Sequence, residues 1–343
     1  MRSFCLFFLL ATFLLCLAVG GWFAAYVFTP SPGTEKRIVD IPKGAGVRQI
    51  QSLLALKEII IADDIRFLTL ARLFHVLDHP PRLRAGEFEV PQGLTPLEVI
   101  RFLDTAQPVR HRVTVPEGKR MTEIAAIFAE DGWADPAVFI HLCQDAAFLK
   151  ELGVTAASLE GYLFPETYTL VRGEIDERKL IRMMVERFFA VWQELTGPET
   201  AQRTDQVGKY NQHQLLILAS IVEKETGSAG ERDVIAGVFY NRLKKGMRLQ
   251  SDPTTIYGIE NFNGNLTKAD LERWSPYNTY VIPGLPAGPI CNPGAAALQA
   301  VLQPANVPYL YFVSQNDGSH YFSKSLQEHN RAVYKYQKLR KKR

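Results

Sequence analysis

Asn211-Gln212-His213-Gln214-Leu215-Leu216-Ile217-Leu218-Ala219-Ser220-Ile221-Val222-Glu223-Lys224-Glu225-Thr226-Gly227 predicts the central helix of the fold. Asn211 followed by Gln214 three residues on is a capping-box start, and Gly227 is a stop. From Leu215 to Val222 every side chain but Ser220 is apolar, so the helix has no solvent face and belongs inside a core. Glu223 comes directly off the end of this run. A carboxyl group at the rim of a core is partly desolvated, which favours its protonated form. A general acid needs that form. Glu225 competes for the same role, because the preceding run is apolar around its whole circumference. The two carboxyl groups lie about 200° apart on a helix and cannot both face one cleft. Periodicity does not choose between them.

Outward from this helix the chain reads as α+β. The 343 residues, 47% hydrophobic and 22% charged, suit a folded protein of two or three domains. A net charge of +3 lacks the concentrated basic face that nucleic acid would require. Toward the N-terminus, Phe4 to Phe28 contains no charged residue. At about 1.5 Å per residue this crosses a bilayer core of roughly 30 Å, and Trp22 and Tyr26 suit the headgroup level. The run exceeds the apolar core of a signal peptide and no Ala-x-Ala site follows, so an uncleaved anchor is expected. Arg2 favours a cytoplasmic N-terminus, although Lys36 and Arg37 weaken the charge asymmetry.

The expected organisation is a stub at 1–3, an anchor at 4–28, a stiff Pro/Gly linker at 29–37, a small module at 38–110 and a larger mixed α+β domain at 111–343. Within the module, strands are predicted at Ile38–Pro42 and Arg84–Val90. Helices are predicted at Val47–Lys57 and at Asp63–Leu77, the latter capped by Asp63 or Asp64. A capped helix opens at Thr95-Pro96 with Glu98 completing the box. In the larger domain, Arg112–Val115 is a predicted strand, and Thr122–Asp131 and Asp176–Leu195 are predicted amphipathic helices. The basic tail Lys335–Arg343 reads as a solvated helix end.

Several chemistries are missing from the sequence. There is no Gly-x-Ser-x-Gly elbow, Ser-x-x-Lys, His-Glu-x-x-His or phosphate-cradling glycine loop. Cys5, Cys16, Cys143 and Cys291 form no CxxC pair, and Cys143 and Cys291 read as two free thiols. No metal or cofactor is expected.

Leu218 to Thr226 resembles the corresponding segment of the MltG/YceG-like endolytic murein transglycosylases. Leu159-Glu160-Gly161-Tyr162-Leu163-Phe164-Pro165-Glu166-Thr167-Tyr168 supports the likeness. So do Val238–Leu243, Met247–Thr254, Tyr277–Tyr280, Gly284–Ile290, Asn292–Gly294, Tyr309–Val313 and His320–Phe322. Glu166 stands where an aspartate is usual and Ala287 where a second proline is common. The module at 38–110 resembles a LysM-like module in its layout and in Arg84–Val90, with a plain spacer domain as the alternative. The family resemblance implies that Glu223 is the catalytic acid/base. It implies a lyase at the bacterial inner membrane that cuts the MurNAc–GlcNAc β-1,4 bond, leaves a 1,6-anhydroMurNAc end and so terminates nascent strands. The catalytic domain would lie on the periplasmic side, with peptidoglycan synthases as partners. Expected sugar contacts are Glu160, Tyr162, Gln250, Ser251, Asp252, Thr254, Tyr277, Asn278, Thr279, Tyr280, Asn292 and His320. These offer hydroxyls, amides and flat rings to a pyranose. The cleft is expected between the LysM-like side and the residues after Ser251. A membrane-tethered, non-catalytic glycan binder is the competing reading. It has no need of a carboxyl group at the end of a core helix.

Overall fold

The computed structural model describes residues 2–61, 64–77, 79, 83–197, 207–227 and 229–338. The fold is mixed α+β, three two-stranded sheets among many helices, and it divides into two units. Unit 1 comprises Met1–Val113 and Thr169–Asp176; unit 2 comprises Thr114–Tyr168 and Glu177–Arg343.

Unit 1 opens with helix α1 (Arg2–Phe28). Its segment Leu6–Phe28, 23 residues of mean hydropathy 2.3, is long and apolar enough to cross a membrane. Strand β1 (Lys36–Ile41), helices α2 (Val47–Leu56) and α3 (Ile65–Leu77), strand β2 (Gly86–Pro91) and helix α4 (Pro96–Thr105) follow. The predicted cap Asp63 lies outside the described residues. Asp64 instead accepts the backbone N–H of Arg66 at the start of α3. Strands β1 and β2 pair antiparallel, Lys36 opposite Pro91 and Ile41 opposite Gly86. The period-2 pattern turns Val39, Ile41, Phe88 and Val90 inward. They meet Ile50, Leu54, Phe67, Phe74 and Val99 from the helices. The Thr95–Glu98 box forms as predicted, each residue satisfying the other's backbone N–H.

Helix α1 does not stop short of this core. Tyr26 and Val27 are buried in it. The stretch expected to be a linker is held down as well. The Ser31 N–H donates to the Leu94 carbonyl, and its hydroxyl accepts from the Gly93 N–H.

The chain enters and leaves unit 2 along the paired strands β3 (His111–Thr114) and β4 (Thr167–Leu170). Between them lie α5 (Met121–Glu130), α6 (Pro136–Leu142) and α7 (Ala146–Glu151). After β4 comes α8 (Glu177–Thr196), which buries the stripe Leu180, Ile181, Met184, Val185 and Phe188. Helix α9 (Gln212–Glu225) carries the Asn211–Gln214 box, and its residues Leu215 to Val222 are all buried. It runs through Glu225, and Thr226 is the extended cap residue, one position before the predicted stop at Gly227. Helices α10 (Arg232–Lys244), α11 (Asp252–Tyr257), α12 (Lys268–Glu272) and α13 (Ala295–Leu302) follow. The chain closes with the antiparallel pair β5 (Tyr311–Ser314) and β6 (His320–Ser323) and helix α14 (Leu326–Val333). α10 and α13 pack on α9. The segment after Leu249 leads into α11, with Pro253 in its first turn.

Candidate active site

Ser220 explains the one polar break in the apolar run of α9. Its hydroxyl donates to the Ile217 carbonyl at 2.7 Å and accepts the Ile290 N–H at 3.0 Å. The Cys291 thiol donates to the Ser220 carbonyl. The Gly288–Asn292 segment is thereby stitched to the core helix. Cys143 and Cys291 are both buried free thiols.

The two carboxyl groups at the end of α9 face different surroundings. The Glu223 side chain is 7% exposed and lies 3.6 Å from Arg232 Nη2. Its Oε2 accepts the N–H of Gly294, the residue that caps α13, at 3.1 Å. Glu117 shares the same guanidinium at 3.8 Å, and burial, then the neighbouring Glu223, push the Glu117 carboxyl up. Glu117 packs directly over Gly294: a Cβ there would fall 1.8 Å from Glu117 Oε1, so any side chain would have to displace the Glu117 carboxyl group.

Glu225 opens on a cleft of about 450 Å³. This volume is ordinary for a small-ligand site. Gln250, Asp252 and Tyr280 line it, with Arg242, Tyr311, Phe312, His320 and the α14 residues Leu326 and His329 opposite. Glu223 is not among its lining residues. Ser251 Oγ donates to Glu225 Oε1 at 2.5 Å. Burial pushes the Glu225 carboxyl up to about 7, the nearby Asp252 adds to this, and Ser251, His320 and Arg242 work against it. A carboxyl group tuned near neutrality inside a cleft is the electrostatic pattern of a proton donor.

Each wall has a mechanical cause. Gln250 sits in the left-handed region at φ 47°, a conformation a non-glycine residue adopts at some cost, and its N–H donates to the Thr279 carbonyl. Asp252 accepts from the Tyr280 hydroxyl at 2.6 Å. His320 is oriented by Glu231, which accepts its backbone N–H at 2.9 Å and lies 2.7 Å from Nδ1. Arg242 is almost fully buried, donates to the Leu310 and Leu249 carbonyls at 2.6 Å and stands over the Tyr311 ring. Burial lowers its pKa. The Nδ1 of His329 has no partner among the described residues.

Gln250, Asp252, Tyr280 and His320 thus reach the cleft, and Ser251 touches its carboxyl group. The other expected sugar contacts are not among the residues that line this cleft. Thr254 and Thr279 are fully buried and 2.8 Å apart through their hydroxyls. Asn278 donates to the Asp270, Leu271 and Arg273 carbonyls and accepts from Thr255. The fully buried Asn292 donates to Lys119 and Glu160 and accepts the Leu163 N–H. Glu160, which also accepts from the Met121 N–H and the Tyr257 hydroxyl, is pushed up to about 7 by burial. Tyr162 stacks on His213 and hydrogen-bonds its Nδ1. Tyr277 packs against Tyr257 with ring centroids 4.7 Å apart. These residue types serve a sugar and a buried network equally well, so composition could not sort them.

The residues lining this cleft all belong to unit 2. Arg242 and Tyr311 were missed as site residues. Arg242, in Tyr240-Asn241-Arg242, carried a usable signal, as an arginine on the buried face of a core-packed helix. A larger cleft of about 640 Å³, lined by Lys209, Tyr210, Asn241 and Lys244 among others, holds no carboxyl group. No group of three or more metal-ligating side chains occurs among the described residues.

Fold and site together define an α+β protein with an N-terminal helix able to span a membrane and a carboxyl-centred cleft in its second unit. The chain belongs to the YceG-like family, which matches residues 39–335. An endolytic murein transglycosylase of Bacillus subtilis is 33% identical over 314 residues, covering 87% of this chain and 84% of that one. An endolytic murein transglycosylase of Streptococcus pneumoniae is 29% identical over 94% of this chain, which spans 63% of that relative's length. The crystal structure of a putative yceG-like protein of Listeria monocytogenes superposes with a TM-score of 0.58 at 30% identity, over 88% of this chain and all of that one.

Proposed function

We propose that the chain is a membrane-anchored lytic transglycosylase that cuts peptidoglycan glycan strands internally, with Glu225 as its general acid. The carrying observation is that Glu225, whose carboxyl group burial pushes up to about 7, lines the cleft, while Glu223 does not line it. The resemblance had assigned the role to Glu223, whose contacts with Arg232 and the Gly294 N–H suit a group that positions the α9 end.

In the reaction proposed here, protonated Glu225 gives its proton to the glycosidic oxygen of the MurNAc–GlcNAc β-1,4 bond. That bond breaks, and positive charge develops at C1 of MurNAc. The carboxylate left behind takes the proton of the C6 hydroxyl, whose oxygen closes on C1 as the 1,6-anhydro ring. The attacking group belongs to the substrate, so one carboxyl group suffices where a hydrolytic glycosidase uses two. Much of the rate then comes from holding the ring in the right geometry. Gln250, Tyr280 and His320 are the groups that would hold it, and Ser251 would steady the carboxylate. The reading places unit 2 on the extracytoplasmic side, at nascent strands beside the synthases that make them.

Parallel Glu225→Gln and Glu223→Gln variants, assayed on purified glycan strands with mass analysis of the ends, test this. Glu225→Gln should abolish release of 1,6-anhydro ends while Glu223→Gln retains it. Loss of activity in Glu223→Gln alone would return the role to Glu223. Reducing ends in place of anhydro ends would point to hydrolysis, with the neighbouring Asp252 as second carboxylate. Strand binding without cleavage would favour the non-catalytic scaffold.

A further inference from the structure

Helix α3 leaves part of its apolar surface uncovered. Ile65 is 66% exposed, Leu73 41% and Val76 76%. Their spacing puts all three on one side of the helix. Within unit 1, that side looks onto the span of α1 and not onto the core. Ile65 and Leu73 form one wall of a groove of about 530 Å³ whose other wall is Leu15, Cys16, Val19 and Phe23 of α1.

The depth of this groove follows from counting residues. A helix needs about 20 residues to cross the hydrocarbon of a bilayer. Counted from Phe4, the first residue after the charged N-terminus, about 20 residues reach Phe23. The α1 wall of the groove therefore lies within the span, and α3 runs beside it at the same depth. At the upper end, the Arg66 guanidinium lies 4.5 Å from both the Trp22 and the Tyr26 ring centroids. It is also paired with Asp64 at 2.5 Å. Aromatic rings and a paired guanidinium are the groups expected at the headgroup level.

We propose that the exposed apolar stripe of α3 is immersed in the acyl chains of the leaflet beside unit 1. Unit 1 is then seated in the membrane surface and not held off it on a stalk. The occupant is lipid because the groove shares a wall with the span, so whatever surrounds the span also fills the groove. The proposal rests on α1 crossing the bilayer and is independent of the reaction assigned to the cleft.

The full chain, reconstituted in vesicles of phosphatidylethanolamine and phosphatidylglycerol, allows a direct test. Cys5 and Cys16 are replaced by serine; Cys143 and Cys291 are buried. Spin labels are then placed singly through Leu73→Cys, Val76→Cys, Leu10→Cys in the span and Ser52→Cys on the exposed side of α2. Collisions with oxygen, which partitions into lipid, are compared with collisions with a water-soluble nickel chelate. Labels at 73 and 76 should behave like that at 10, gaining oxygen collisions and losing nickel collisions, while the label at 52 keeps its nickel collisions. Nickel access at 73 and 76 with position 10 protected would overturn the proposal and leave the anchor standing. Protection of 73 and 76 from both reagents would mean a protein contact, a second copy included, and would overturn it too. Nickel access at position 10 would remove the span, and the proposal with it.

Discussion

Replacing Ser251 by alanine should move the alkaline limb of the activity profile upward. The Ser251 hydroxyl donates to Glu225 Oε1 at 2.5 Å, and this bond favours the ionised carboxyl group. A hydrogen bond to a charged group is worth roughly 1.5–3 kcal/mol. At about 1.4 kcal/mol per pKa unit, its loss raises the Glu225 pKa by roughly one to two units. With the parent group near 7, the proton-donating form declines about tenfold per pH unit above that point. The variant should therefore keep its low-pH rate and lose activity only at a pH one to two units higher, by about that same shift. Asp252→Asn should act in the opposite sense, because the Asp252 charge pushes the Glu225 carboxyl up. Its effect should be smaller, since Asp252 is exposed and its field is screened. Initial rates of anhydro-end release from about pH 5 to pH 9 read both shifts against the Glu225 titration. A limb that stays fixed in Ser251→Ala, or moves down, would refute the assignment of the proton to Glu225.

Three further outcomes can be measured on stability. Burial raises Glu160 from an ordinary 4.5 to about 7. Below pH 4.5 both folded and unfolded chains keep that proton; above it the unfolded chain releases it first, so stability falls as pH rises toward 7. This single group accounts for a decline of up to roughly 3 kcal/mol, and Glu160→Gln should shrink the pH dependence of the melting temperature over that interval, leaving the share that the similarly raised Glu225 contributes. Leu218→Ala, in the fully packed part of α9, should cost about 2–5 kcal/mol in chemical denaturation. Asn292→Ala leaves the Leu163 N–H without its partner and removes one of the two donors to Glu160 Oε1, and should lower stability by about 1–3 kcal/mol for the buried N–H left unpaired.

How much of this was legible in the sequence depended on the kind of signal. Helix α9 could be read because a capping box and an eight-residue apolar run agree, and local chemistry decided both ends. The α+β class and the Thr95–Glu98 cap were legible for the same reason. The facing of Glu223 and Glu225 was not, because an apolar run with no polar side gives no angular reference. What separates them is tertiary: Arg232 and the Gly294 N–H claim one, and Ser251 and the cleft border the other. The same limit applied to Glu160, Asn278 and Asn292. Each is polar and lies in a motif, yet each is buried: Glu160 and Asn292 bond each other from distant segments, and Asn278 bonds the carbonyls of Asp270, Leu271 and Arg273. Arg242 escaped notice because its partners are backbone carbonyls, which leave no trace in the order of residues.

Tyr26 and Val27 carry a practical consequence for anyone trimming the chain. A soluble fragment cut after Phe28 would lack two side chains that fill the core of unit 1, each contributing about 1.5–3 kcal/mol. The cut would leave a hole against the remaining core, and unit 1 would melt earlier than in the parent chain. Starting at Trp22 instead keeps those side chains and the rings that stack on Arg66, while removing most of the insoluble helix.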